Sequence, residues 1–150
     1  MPSNLQRLGE TLEQGFPLGE DIATAFADAD RVERLRRAIG EIAADDLIVE
    51  MVGDASFRRT RHGIDGFIEA WRDWVDPFES FTAEVEDFLE AEPHVVVLVR
   101  LVARPRGGGT EIANEAAAVW TFEGDRLARV EFHLDRATAL SAAGLGGESS

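Results

Sequence analysis

The apolar positions of this chain change period about half-way along it. Leu5, Leu8, Leu12 and Phe16 recur at helical spacing, and the stretch FPLG then breaks the pattern. Phe26, Val32, Leu35 and Ile39 mark a second helical stretch from about Ile22 to Ile42, with Asp28 or Asp30 placed to cap a break within it. DDLIVEMVGD predicts a short strand, Leu47 to Val52, closed at Gly53-Asp54. Ile64, Phe67, Ile68, Trp71 and Val75 then form a strong helical stripe, which Pro77 ends.

From there the period is two. FTAEVEDFL places Phe81, Ala83, Val85, Asp87 and Leu89 on one face and mainly acids on the other. VVVLVRLVAR is apolar on both faces, as a central strand is. Turns at PRGGGT and EGDR introduce TEIANEAAAVWTF and LARVEFHLD, and DRATALSAAG reads as a short closing helix stopped at Gly144. Helices followed by an antiparallel meander predict an α+β domain, a cone-shaped curved antiparallel sheet wrapped around N-terminal helices. Residues 1–145 are expected to form it, with 146–150 as a flexible tail.

Strand parity separates two surfaces. Val95, Val97, Val99, Leu101 and Ala103 form a face without charge, which should meet the helices. The same test turns Asn114, Ala116, Ala118, Trp120 and Phe122 inward, together with Ala128, Val130, Phe132 and Leu134. Alanines stand there where a filled core would carry Val, Leu or Ile, so the pattern predicts a pocket for a small hydrophobic molecule, the alternative being that the alanines let Trp71, Trp74 or a helix approach closely. Phe67 and Trp71 face it from the helix. A buried amide at Asn114 needs a partner, for which water, a ligand or Asp87 are the candidates. Asp87 is the one carboxylate on its inward strand face and hence the candidate acid or base, unless a bulge turns it to solvent. Outward, Leu98, Arg100, Glu115, Glu131 and His133 stand among Val96, Val102, Ala117 and Val119. Such an apolar face dotted with opposite charges predicts a homodimer surface, the alternative being a solvated face with weak ion pairs.

Charge and composition narrow the partners. Fifteen basic and twenty-nine acidic residues leave −14, which disfavours nucleic acid and anionic membranes. The absence of cysteine excludes disulfides and thiolate sites, and MPSNLQRLGE lacks a signal pattern, so a cytoplasmic protein is expected. His62, His94 and His133 have no metal-ligand spacing, and neither a metal nor another cofactor is expected. RPRGGGTE joins two strands with no helix after it, so it reads as a hairpin and not as a phosphate loop.

HGIDGFIEAWRDWVDPFESFTAEVEDFLEAEPHVVVLVRLVARPRGGG, followed by AAAVWTFEGDRLARVEFHLDRATALSAAGL, resembles the SnoaL-like branch of the nuclear transport factor 2-like superfamily from about Asp45 to Leu145. The most telling pieces are Gly63 and Gly66 at the helix entry, the VWTFEGDRL hairpin and the VEFHLDRATAL ending. The resemblance implies a cone with a deep apolar pocket and commonly a homodimer packed through sheet faces, and it makes residues 1–30 an added helical segment where the family usually has a single entry helix. The ketosteroid isomerase base position falls on Met51, beside Glu50, and the second acid of those enzymes falls on Ala118. The Asp-Arg-Asp set of the epoxide hydrolases falls on Leu101, Val99 and Phe132, and the cyclase acid near Phe132. All these positions are apolar here, which speaks against those three mechanisms and not against the pocket. The resulting expectation is a small-molecule-binding domain, with isomerase, cyclase or dehydratase chemistry left open. The alternative is a non-catalytic dimerisation or interaction module with a vestigial pocket.

Overall fold

In a computed structural model, residues 3–16, 20–52 and 58–144 are described. Three helices come first: α1 (Asn4–Gly15), α2 (Ile22–Phe26) and α3 (Ala29–Gly40). Then follow β1 (Ala43–Val52), β2 (Arg58–His62), α4 (Gly63–Val75), β3 (Phe78–Ala91), β4 (His94–Pro105), β5 (Ile112–Glu123), β6 (Arg126–His133) and α5 (Arg136–Ala142). The expected turn at Gly53-Asp54, the Pro-Leu-Gly part of the FPLG break and the 146–150 tail lie outside the described residues.

Side-chain caps explain where the helices begin. Ser3 and Gln6 form a reciprocal capping box on α1, and Asp21, Asp28 and Asp135 each accept a backbone N–H at the start of α2, α3 and α5. Asp28 therefore ends the expected long second helix and starts a new one. Asp21 does a second task, because its Oδ1 also accepts from the Phe81 amide at 3.0 Å. That bond ties the helical segment to β3.

The strands form one six-stranded sheet in the order β2-β1-β6-β5-β4-β3. Only β1 and β6 run parallel; the other pairs are antiparallel. The α+β expectation holds: helices, then a curved, unclosed, mostly antiparallel sheet. The core lies between the inner sheet face and α1–α4, where Leu8, Ile22, Ile39 and Phe67 meet Val49, Val95, Leu127 and Val130, all 0% exposed. The parity read from β4 is correct, since Val95, Val97, Leu101 and Ala103 belong to this core.

Four expectations need correction. β2 is a strand that RRTRH does not announce, for it has no apolar alternation and forms by pairing along β1 at the edge of the sheet. β1 begins at Ala43, ahead of the expected Leu47. In β3, Val85 pairs with Val99 and Asp87 with Leu98, so Glu86 is an extra residue that inverts the parity beyond it. Phe88 therefore joins the inner core, Leu89 packs on the outer face, and Asp87 is exposed, accepting from the Phe88 amide at 2.9 Å. In β6, Phe122 pairs with Leu127 and Thr121 with Arg129. Ala128 is the bulged residue, and Leu127 takes its inward place.

Candidate functional site

The inner face holds an apolar cavity whose empty space, including the part open to solvent, amounts to about 510 Å³. Each wall comes from a different element. β4 contributes Val97, Val99 and Leu101, and β5 contributes Ala116, Ala118 and Trp120. Ala83 of β3 and Phe132 of β6 complete the sheet side, with Leu134 just beyond. From the helices come Trp71 and Trp74 of α4 and Leu12 and Phe16 of the α1 end. Three alanines face the aromatic side chains, so the sheet lacks the bulk needed to fill the space beneath the helices.

Phe132 organises the aromatic wall. Its ring meets Trp71 edge-on at 5.0 Å, Trp120 at 5.8 Å and Phe67 at 5.8 Å between centroids. Trp71 also meets Phe16 at 5.3 Å, which fixes the C-terminal end of α1 over the space. Edge-to-face pairs of this kind hold the rings in defined orientations. The first helix thus closes one side of the cavity, a role that its sequence alone gave no signal for.

Of the residues expected at the pocket, Trp71, Val99, Leu101, Ala116, Ala118 and Phe132 line it. Phe67 is fully buried behind Phe132 and Trp120. Met51 borders a separate hollow with Arg59, Arg61, Ala70, Asp73 and Trp74. Asn114 keeps its inward parity, opposite Leu101, but not its depth. Pairing of β5 with β6 starts only at Ala117 and His133, so Asn114 stands on the open rim. It is exposed there and donates to the Leu134 carbonyl at 2.5 Å. The expectation of a buried amide in the pocket is corrected accordingly, and Asp87, on the outer face, cannot be its partner.

The lining carries no carboxylate, hydroxyl or amide side chain among the described residues. His133 adjoins the cavity, but both of its ring nitrogens are engaged. Nε2 faces Glu131 Oε1 at 2.9 Å, and Nδ1 faces Thr138 Oγ1 at 2.9 Å. The Thr138 hydroxyl itself donates to the Asp135 carbonyl at 2.8 Å. The histidine hydrogen bond is the main cause holding the Glu131 carboxyl below its ordinary value; burial opposes this, and the charge of Arg129 adds to it. Arg129 bridges Glu131 to Glu50, which is buried and also accepts from Thr60.

This network changes the picture of the outer face. The helix α5 lies on it and buries Val96, Ala117 and Val119 against Ala139 and Ala143. Arg136, at the helix start, donates to the carbonyls of Val99 and Ala116 and pairs with the bulge residue Glu86. His133, expected in a contact between subunits, is instead 4% exposed through packing within its own chain. Glu131 is half-buried in the same network, while Arg100 and Glu115 are exposed and Leu98 is half-buried. Among the described residues no three acid or histidine side chains gather as metal ligands would, and no helix is long and apolar enough to cross a membrane.

The family model of the SnoaL-like domain matches residues 21–130. The chain belongs to the SnoaL-like domain family. The match begins after α1, so Leu12 and Phe16 reach this SnoaL-like cavity from outside the matched region. Among solved structures, a protein from Jannaschia sp. CCS1 described as a SnoaL-like polyketide cyclase is 14% identical, with 95% of this chain and 91% of that chain covered and a TM-score of 0.62. A nuclear transport factor 2-like protein of Burkholderia pseudomallei K96243 is 22% identical over 94% and 97% of the two chains, with a TM-score of 0.60. A ketosteroid isomerase-like fold from Catenulispora acidiphila DSM 44928, in complex with trimethylamine, is 17% identical over 84% and 91%, with a TM-score of 0.55. At such identities the likeness is one of fold. No curated protein sequence matches the chain.

Proposed function

We propose that this SnoaL-like domain binds a small, uncharged, hydrophobic molecule in the cavity between α1, α4 and the inner sheet face. The observation that carries this reading is the wall itself, in which Ala83, Ala116 and Ala118 share the sheet side with Phe132, stand across from Trp71 and Phe16, and leave space among otherwise close-packed residues. Apolar surroundings favour an apolar occupant and penalise a charged one. The lining supports binding over acid–base catalysis, because its one titratable neighbour, His133, is engaged by Glu131 and Thr138. Native mass spectrometry of the purified protein tests the proposal: a bound organic mass should survive gentle desolvation and vanish on unfolding. A chain that carries no such mass and gives no shift of cavity methyl resonances with any small hydrocarbon or ketone would overturn it.

A homodimer remains the second part of the proposal, confined to what α5 leaves of the outer face around Leu98, Arg100, Val102 and Glu115. Arg100 and Glu115 stand opposite each other on β4 and β5, so the patch carries its own neutral charge pair. Sedimentation should show Leu98→Asp as a monomer, whereas an unchanged dimer would remove that interface. A cytoplasmic setting is proposed on the cysteine-free sequence.

A further inference from the structure

Two arginines of β2 stand on the core side of the sheet. Met51 pairs with Arg59 and Val49 with Arg61, so each arginine shares a face with its apolar partner, and both partners belong to the core. Arginine is rarely found on such a face. Here the two guanidinium groups border a hollow beside the C-terminal half of α4, with Met51, Ala70, Asp73 and Trp74 as its other walls. Its empty space, including the part open to solvent, is about 500 Å³. Among the described residues it shares only Trp74 with the inner-face cavity.

The packing of α4 explains the space. Gly66 brings the start of the helix against β2, where a Cβ built on it would stand 3.0 Å from the Arg61 Cβ. One turn on, Ala70 offers only a methyl group to the hollow. Arg61 pairs with Asp73 and stands 3.5 Å from Glu69, which holds its guanidinium on the α4 side. Arg59 is exposed, whereas Met51 and Ala70 are 3% and 2% exposed, so the hollow combines a charged, solvated wall with an apolar floor. The half-buried Trp74 adds aromatic surface. A guanidinium has five N–H donors and no acceptor, so one ion pair does not exhaust it.

We propose that this hollow is a second binding site, for a small molecule with one carboxylate on an apolar or aromatic body. The carboxylate accepts from Arg59, whose planar fork matches its two oxygens, and the body lies along Trp74 over Ala70 and Met51. A single negative charge suits two guanidinium groups set against the carboxylate of Asp73 in the same wall. A dianion such as a phosphate ester would meet more of that carboxylate's repulsion. The site does not depend on the inner cavity, whose described lining holds no arginine or lysine.

The test compares 3-phenylpropanoate with 3-phenylpropanamide at neutral pH, two molecules of nearly equal shape that differ by the charge. The chain has two methionines, Met1 and Met51, so methyl-labelled methionine gives a reporter on the hollow, and Met51→Leu identifies its resonance. The acid should move the Met51 methyl saturably and bind about 5-fold tighter than the amide, the range of one net hydrogen bond. Arg59→Gln, a change at an exposed position, should bring the two compounds to parity. Equal binding of acid and amide to the parent chain overturns the proposal without recourse to the variant. A preference for the acid that survives in Arg59→Gln also overturns it, because the anion would then be held elsewhere. If neither compound moves the Met51 methyl up to its solubility limit, the hollow is no binding site. Shifts confined to the Ala116 and Ala118 methyls would place the probe in the inner cavity, sinking this proposal while supporting the binding proposal made for that cavity.

Discussion

Gly15 of α1 stands so close to Ala38 of α3 that a Cβ built on it would lie 2.6 Å from the Ala38 Cβ. The same atom would sit 3.3 Å from the Arg34 carbonyl oxygen and the Leu35 Cα. Backbone cannot step aside as a long side chain can, so Gly15→Ala must push the end of α1 away from α3. Better helix propensity offsets about 1 kcal/mol of the cost, and overpacking of this kind costs about 1–3 kcal/mol. We expect a net loss of stability in urea titration, together with changed tryptophan fluorescence, because Phe16 follows Gly15 and packs on Trp71. An unchanged fluorescence maximum would mean that α1 does not depend on this close approach to cover the cavity.

Acid should loosen the outer face before it loosens the core. The Glu131 carboxyl is held below its ordinary value of 4.5. A depressed carboxylate contributes stability that is present above the ordinary value and lost as pH falls through the folded value. Unfolding free energy should therefore decline as the medium is acidified below about pH 5. Glu131→Gln should cost about 1–2 kcal/mol at pH 7 and flatten that decline. Parallel pH dependences for the two proteins would show that the His133–Glu131 contact contributes nothing to it.

Asp87 shows where the sequence ceased to be legible. Alternation over Phe81, Ala83 and Val85 is readable because burial imposes it. The extra residue Glu86 leaves no apolar signature, yet it sends every later side chain of β3 to the opposite face. Ala128 fails for the same reason in β6. The depth of Asn114 and the docking of α5 over Val96 and Val119 depend on where β6 ends, which no local period encodes. By contrast, the faces of β4 and most of β5 are readable, which gives the wall residues Val99, Leu101, Ala116 and Ala118, while the helical stripe of α4 gives Trp71 and alternation in β6 gives Phe132. Asp87→Asn should accordingly leave stability within about 0.5 kcal/mol and ligand binding unchanged, since an amide oxygen can still accept from the Phe88 N–H. A loss of binding or activity in that variant would return Asp87 to the site.

The strongest check on the cavity is to fill it. Ala118 lies between Val97 of β4 and Phe132 of β6, with its side chain 6% exposed on the inner face. Ala118→Leu adds three carbons toward the space. In a fully packed core such an insertion costs about 1–3 kcal/mol, whereas each methylene buried in vacant apolar space contributes about 0.8 kcal/mol. The sign of the stability change therefore reports whether the space is real. We expect Ala118→Leu to be as stable as the parent or more so, and not to bind whatever molecule the parent retains. A clear loss of stability with binding intact would place the ligand elsewhere and make the alanines simple spacers for the close approach of Trp71.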